Sequence, residues 1–195
     1  MAETARRGRD EVVSSEDDVL VLVDADDRET GTLSKAACHD GAGVLHRAFS
    51  LFVFNPGGEL LLQKRSASKR LWPGFWSNSC CSHPRAGEPM SGAIHRRLRQ
   101  ELGMRSRLEF LFKFQYHATY REEGSERELC WVFAGVSADA VRPNVREIDD
   151  WRWIEPDRLA DELRRHDEHY TPWFRLEWPR VLRFRGAGPR ETGGI

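Results

Sequence analysis

Nothing in this chain approaches the roughly 20 consecutive apolar residues needed to cross a bilayer, and its opening, MAETARRGRDE, lacks the apolar stretch of a secretion signal. Neither a membrane span nor signal-directed export is expected, so the cytoplasm is the expected location. Cysteine is scarce. The four present, Cys38, Cys80, Cys81 and Cys130, are too few for a disulfide scaffold, and the adjacent Cys80 and Cys81 are poorly placed to bond to each other. No Cys-x-x-Cys pair occurs, which argues against a structural cysteine-rich zinc site. Charge of one sign is not in excess either: 30 Lys and Arg stand against 31 Asp and Glu, a net charge of -1. No global field draws the protein to nucleic acid or to an acidic membrane, and any anion site must be local.

What is present is a mixture of short elements. At 195 residues, 39% of them hydrophobic, the chain suits one domain with a core that needs no staples. Residues 1–18 and 185–195 are polar or Gly- and Arg-rich and are expected to be loose tails around a domain at 19–184. VLVLVDADDRETGTL predicts two short strands about a turn at Asp24 to Arg28. AFSLFVFNPGGELLLQKRS predicts a hairpin turning at Asn55, Pro56, Gly57 and Gly58. A long loop over 71–87 follows, then a helix from Pro89 to Leu102 stopped by Gly103. EFLFKFQYHATY and ELCWVFAGV predict a second hairpin around Gly124, and DDWRWIEPDRLADELRRH a strand followed by a helix from about Pro156. The fold class is α/β of the α+β kind, a mixed sheet flanked by helices.

Three local patterns bear on chemistry. His39 and His46 flank six residues containing the turn DGAGV, which can return both rings to one ion, although loop histidines are commonly just solvated. Glu126 and Glu128 stand at i and i+2 of SERELC, so a strand puts both carboxylates on one face. They lead into the apolar ELCWVF, where an unpaired carboxylate is costly and a metal would remove the cost. His83 lies two residues beyond Cys81 in NSCCSHP. Three histidines and two carboxylates form a nitrogen and oxygen donor set suited to zinc, manganese or magnesium. On the helix, Ile94, Leu98 and Leu102 make an apolar stripe, while Arg97 and Glu101 share another face. That pair reads equally as a solvated salt bridge or as a cation and carboxylate offered to a metal-bound diphosphate.

GEPMSGAIHRRLRQELG resembles the Nudix box: Glu88, Arg96, Leu98, Glu101 and Gly103 match, whereas Ser82, Arg97 and Gln100 replace the leading Gly and two helix glutamates. Together with SKAACH, the gap to His46, LWPGFWSNSCCSHP, SERELC and TPWF, the sequence from about Asp24 to Trp178 resembles type 1 isopentenyl diphosphate isomerase. The resemblance implies a Nudix-like fold and one divalent metal, Mn, Zn or Mg, held by His39, His46, His83, Glu126 and Glu128. It implies catalysis by Cys81 and Glu128 with Tyr116 beside Glu128, and contacts to substrate from Lys35, Arg65, Lys69, Arg97 and Trp173. Glu101 would carry a magnesium that travels with the substrate diphosphate, and no flavin would be needed. Two of the four lysines fall at these positions. The partner implied is a small-molecule diphosphate, with no nucleic acid and no membrane, and a monomer is expected. Trp72 and Trp76 read either as a cover over the site or as ordinary core aromatics.

Overall fold

A computed structural model describes residues 10–186, and the outer parts of both expected tails, 1–9 and 187–195, lie outside the described residues. The strands are β1 (Val19–Val23), β2 (Glu29–Ser34), β3 (His46–Phe54), β4 (Leu60–Arg65), β5 (Trp76–Ser77), β6 (Cys80–Ser82), β7 (Arg107–Tyr120), β8 (Gly124–Val136) and β9 (Ile148–Ile154). The helices are α1 (Lys35–His39), α2 (Met90–Leu102), α3 (Pro156–His166) and α4 (Pro172–Gly186), with a single 3-10 turn at Asp167–His169.

β3 is the axis of the sheet. It runs parallel to β8 along its whole length, from His46↔Glu128 to Phe54↔Val136. Its other edge is shared in succession by β1 at Leu22↔His46, β6 at Ser50↔Cys81 and β4 at Phe54↔Leu60. From Ala48 to Phe54 this strand is apolar except for Ser50, because both faces are covered. Phe49, Leu51 and Val53 face α2, which inserts Ile94, Leu98 and Leu102, while Ala48, Phe52 and Phe54 face α4 through Phe174, Trp178 and Val181. Each fully buried side chain of this size contributes about 1.5–3 kcal/mol.

The hairpin expected around Asn55 forms, but it opens like a fork after the first pair. The segment expected to be loop enters the gap as β5 and β6, pairing with β4 and β3. Its polar side chains are buried because they complete backbone bonding there. Ser79 Oγ donates to the Leu61 carbonyl at 2.7 Å and accepts from Val53 N at 2.8 Å, and Asn78 Nδ2 donates to the Cys80 carbonyl at 2.9 Å. This insertion seats Cys81 inside the sheet.

Two boundaries differ from expectation. Residues 10–18 are not loose: Val13 is buried, and the Glu11 carbonyl accepts from Asn144 Nδ2 at 2.8 Å. At the other end α4 continues to Gly186, past the expected boundary at 184. Neither α1 nor α4 was expected. The first is five residues long, and the second is apolar on more than one side and contains Pro179.

Candidate active site

Five side chains converge at one end of β3 and β8. His39 closes α1, whose N-cap Ser34 accepts from Ala37 N. His46 opens β3 directly beside Glu128 on β8, and His83 follows β6. Alternation along β8 turns Glu126 and Glu128 to the same buried face. The potential ligand atoms of all five lie within 4.8 Å of one another.

The hydrogen bonds behind the histidines set which nitrogen faces inward. His39 Nδ1 contacts the Lys35 carbonyl and His46 Nδ1 the Val44 carbonyl, each at 2.7 Å. A carbonyl only accepts, so both Nδ1 atoms donate and a neutral ring presents its Nε2 lone pair to the cluster. Burial, with His83 close by, drives His46 down to about 4. Burial also works against charge on His39, but Glu126 outweighs it and holds that ring at about 9. Glu128 is pushed up to about 8 by burial and by Glu126.

Two atoms of the cluster test whether a cation suits it. His46 Nε2 and Glu126 Oε2 are buried without a hydrogen-bond partner; Glu126 Oε2 lies 2.8 Å from His39 Nε2, but the two are not aligned as a hydrogen bond. Leaving such groups unpaired costs about 1–3 kcal/mol each. His83 Nε2 and Glu128 Oε1 do share a hydrogen bond of 2.9 Å, but the two unpartnered atoms, within a set of nitrogen and oxygen donors clustered inside 4.8 Å, suit a divalent ion of the expected kind.

Next to this cluster is a cavity of about 350 Å³, large enough for a small diphosphate. Its lining includes Cys81, Tyr116, Glu128 and Trp173. Tyr116, opposite Glu128 across β7 and β8, donates its hydroxyl to Glu128 Oε2 at 2.7 Å. Burial pushes the Cys81 thiol up to about 12, so it holds its proton at neutral pH. The Trp173 indole is fixed by its N–H, which donates to Ser77 Oγ at 3.0 Å, and the Arg65 guanidinium lies 5.2 Å from its ring centre. Trp72 is buried edge-on against Trp173 at 5.3 Å, and Trp76 packs on Arg152. Neither lines the cavity, so both are core aromatics rather than a cover.

The same lining carries Lys35, Lys69 and Arg97. Lys35 Nζ donates to Glu16 at 2.7 Å and to Ser14 at 3.1 Å, and Lys69 pairs with Glu147. Arg97 and Glu101 are buried, which removes the solvated reading: Arg97 Nε and Nη2 both donate to Glu101 Oε1, at 3.0 and 2.6 Å. Glu101 does not line the cavity, whereas Glu147, 3.5 Å from Arg97 Nη2, does. Sequence reading missed Glu147, which in RPNVREIDD looks like any other surface acid. It also missed Glu177 on α4, fully buried, with Oε1 accepting from Cys130 Sγ at 3.5 Å and Oε2 unpartnered. Burial pushes that carboxyl up to about 8. The matching Nudix-box pair Glu88 and Arg96 forms a two-pronged bridge of 2.6 and 2.7 Å at the start of α2, outside the cavity, and serves the fold.

Comparison with known proteins agrees with this geometry. The NUDIX domain family matches residues 44–174. Isopentenyl-diphosphate Delta-isomerase 1 of Photorhabdus laumondii is 41% identical over 84% of this chain and 94% of its own. Isopentenyl-diphosphate Delta-isomerase of Halorhodospira halophila is 43% identical over 80% and 90%. Among solved structures, a protein of Deinococcus radiodurans superposes with a TM-score of 0.61 at 22% identity over 75% of this chain and 88% of its own, a likeness of fold. With identities above 40% across four fifths of the chain, on a NUDIX domain, this chain belongs to the type 1 isopentenyl-diphosphate Delta-isomerase family.

Proposed function

We propose that the chain interconverts isopentenyl diphosphate and dimethylallyl diphosphate by moving one proton onto the five-carbon unit and removing another. The observation that carries this reading is a single cavity lined both by Cys81, Glu128, Tyr116 and Trp173 and by Lys35, Lys69 and Arg97. An alkene is a poor base, so the reaction needs an acid at one carbon, a base at another, and tolerance of a tertiary cation between them. Cys81 and Glu128 are the two proton carriers. Tyr116 orients the Glu128 carboxyl through its hydroxyl. The indole face of Trp173 stabilises the cation, an interaction of about 2 kcal/mol when desolvated.

His39, His46, His83, Glu126 and Glu128 would hold one divalent metal, Mn, Zn or Mg. Bound there, it supplies positive charge that lowers the proton affinity of the Glu128 carboxyl. Lys35, Arg65, Lys69 and Arg97 receive the diphosphate, whose binding energy holds the alkene in place and away from water. Glu101, which does not line the cavity, acts on the diphosphate through Arg97, whose guanidinium it holds in place; a magnesium on the diphosphate would reach Glu101 only past that guanidinium. Arg97 and Gln100 replace two carboxylates of the hydrolytic box, which favours isomerisation over hydrolysis.

The test is incubation of the purified protein with isopentenyl diphosphate and a divalent metal, without flavin. Dimethylallyl diphosphate should accumulate to equilibrium. No conversion, with rapid release of monophosphate from nucleoside diphosphate sugars instead, would overturn the proposal.

A further inference from the structure

We infer that residues 10–16 form a wall beside the basic side chains of the cavity that restricts the site to diphosphates with an unsubstituted terminal phosphate. The inference rests on the reading of those side chains as the diphosphate site. Val12, Val13, Ser14 and Glu16 line the same cavity as Lys35, Lys69 and Arg97, and two of these cations hydrogen-bond the segment directly.

The strap is tied down through the same cations. Arg97 Nη1 donates to the Val13 carbonyl at 2.5 Å, and Lys35 Nζ donates to Ser14 Oγ and to Glu16. Further along, Asn144 Nδ2 donates to the Glu11 carbonyl at 2.8 Å, and Arg146 pairs with Asp10 at 2.6 Å. The Val13 side chain is itself buried, 5% exposed, while its neighbour Val12 is 71% exposed. A segment anchored at both ends and at its middle is a boundary rather than a fringe.

The consequence is steric. A substrate with its hydrocarbon against Trp173 and Cys81 runs its terminal phosphate toward the basic side chains that hold the strap. A free phosphate stops there. A second ester group on that phosphate must pass through backbone held by Arg97. Rejection by a clash of this kind discriminates without added affinity for the right substrate. Glycine or proline is absent from residues 10–16, so nothing in the segment offers an easy hinge.

The experiment compares isopentenyl diphosphate with its analogue methylated on the terminal phosphate, measured as substrate KM and as inhibition constant, in the full chain and in a variant lacking residues 1–14. In the full chain the methyl ester should bind much more weakly than the substrate. In the truncated protein the gap should narrow by about tenfold or more, with the KM for the substrate itself raised. The loss of one phosphate charge is common to both proteins and cancels in the comparison. Val13→Gly, which keeps the full length but removes the buried anchor, should narrow the gap in the same direction if truncation prevents folding. An unchanged gap in an active, folded variant would overturn the strap inference alone. Absence of turnover of isopentenyl diphosphate by the full chain would overturn the underlying reading of the site, and the inference with it.

Discussion

At the scale of single residues, the proposed mechanism separates two proton carriers from the groups that orient them. Cys81→Ala and Glu128→Gln should each lower turnover by about 10²- to 10⁴-fold or abolish it. For Cys81→Ala the thermal midpoint should stay near that of the parent; near-normal rates in both variants would show that the proton carriers lie elsewhere. Glu177 makes a different kind of prediction. Burial holds its folded-state pKa at about 8 against an ordinary value of 4.5. The folded protein therefore keeps a proton that the unfolded chain releases between these values. Stability from this group is full below about pH 4.5 and falls as pH rises toward 8. Glu177→Gln mimics the protonated carboxyl, so its thermal midpoint relative to the parent should improve on going from pH 6 to pH 8. A difference that is flat across this range would show that Glu177 is ionised throughout. Nothing in RLEWPRVL distinguishes this glutamate from a surface one, because its burial depends on how α4 lies against Cys130 and Ser50.

At the scale of elements, strand alternation and two hairpins carried most of what the sequence disclosed. SERELC disclosed its shared face because a strand has period two, and GAIHRRLRQELG disclosed α2 because its apolar residues recur every four and Gly103 follows. Gly103 does adopt a left-handed φ of 67° with its N–H on the Arg99 carbonyl. The insertion of β5 and β6 was not legible, since their two and three residues show no period and the polar side chain of Ser79 between them bonds to strands distant in sequence. The helix carrying His39 has a dependence of its own on β8. Gly124 at the start of β8 has a φ of 147°, and a Cβ there would collide with the His39 carbonyl. Gly124→Ala should therefore displace His39, costing about 1–3 kcal/mol in stability. It should also lower the metal content of the purified protein. Full metal occupancy and an unchanged thermal midpoint would show that α1 moves aside without consequence.

For the whole molecule, the sheet places one end of β3, β8 and β6 where the candidate metal-holding side chains from α1, β3, β8 and the segment after β6 meet, and α2 and α4 close its two faces. The family resemblance was legible because several short motifs occur in one order over most of the chain; the participation of residues 10–16 was not, because a polar segment without period looks like a tail. Among the described residues no helix is long and apolar enough to cross a membrane. The central claim is that Cys81 and Glu128 exchange protons with a bound five-carbon diphosphate. Isopentenyl diphosphate incubated with the protein in deuterated water, with metal content measured on the same sample, tests this most directly. The account predicts deuterium in both isomers, dependent on a divalent metal and lost in Glu128→Gln. Conversion without deuterium uptake, or no uptake by metal-replete protein, would contradict it.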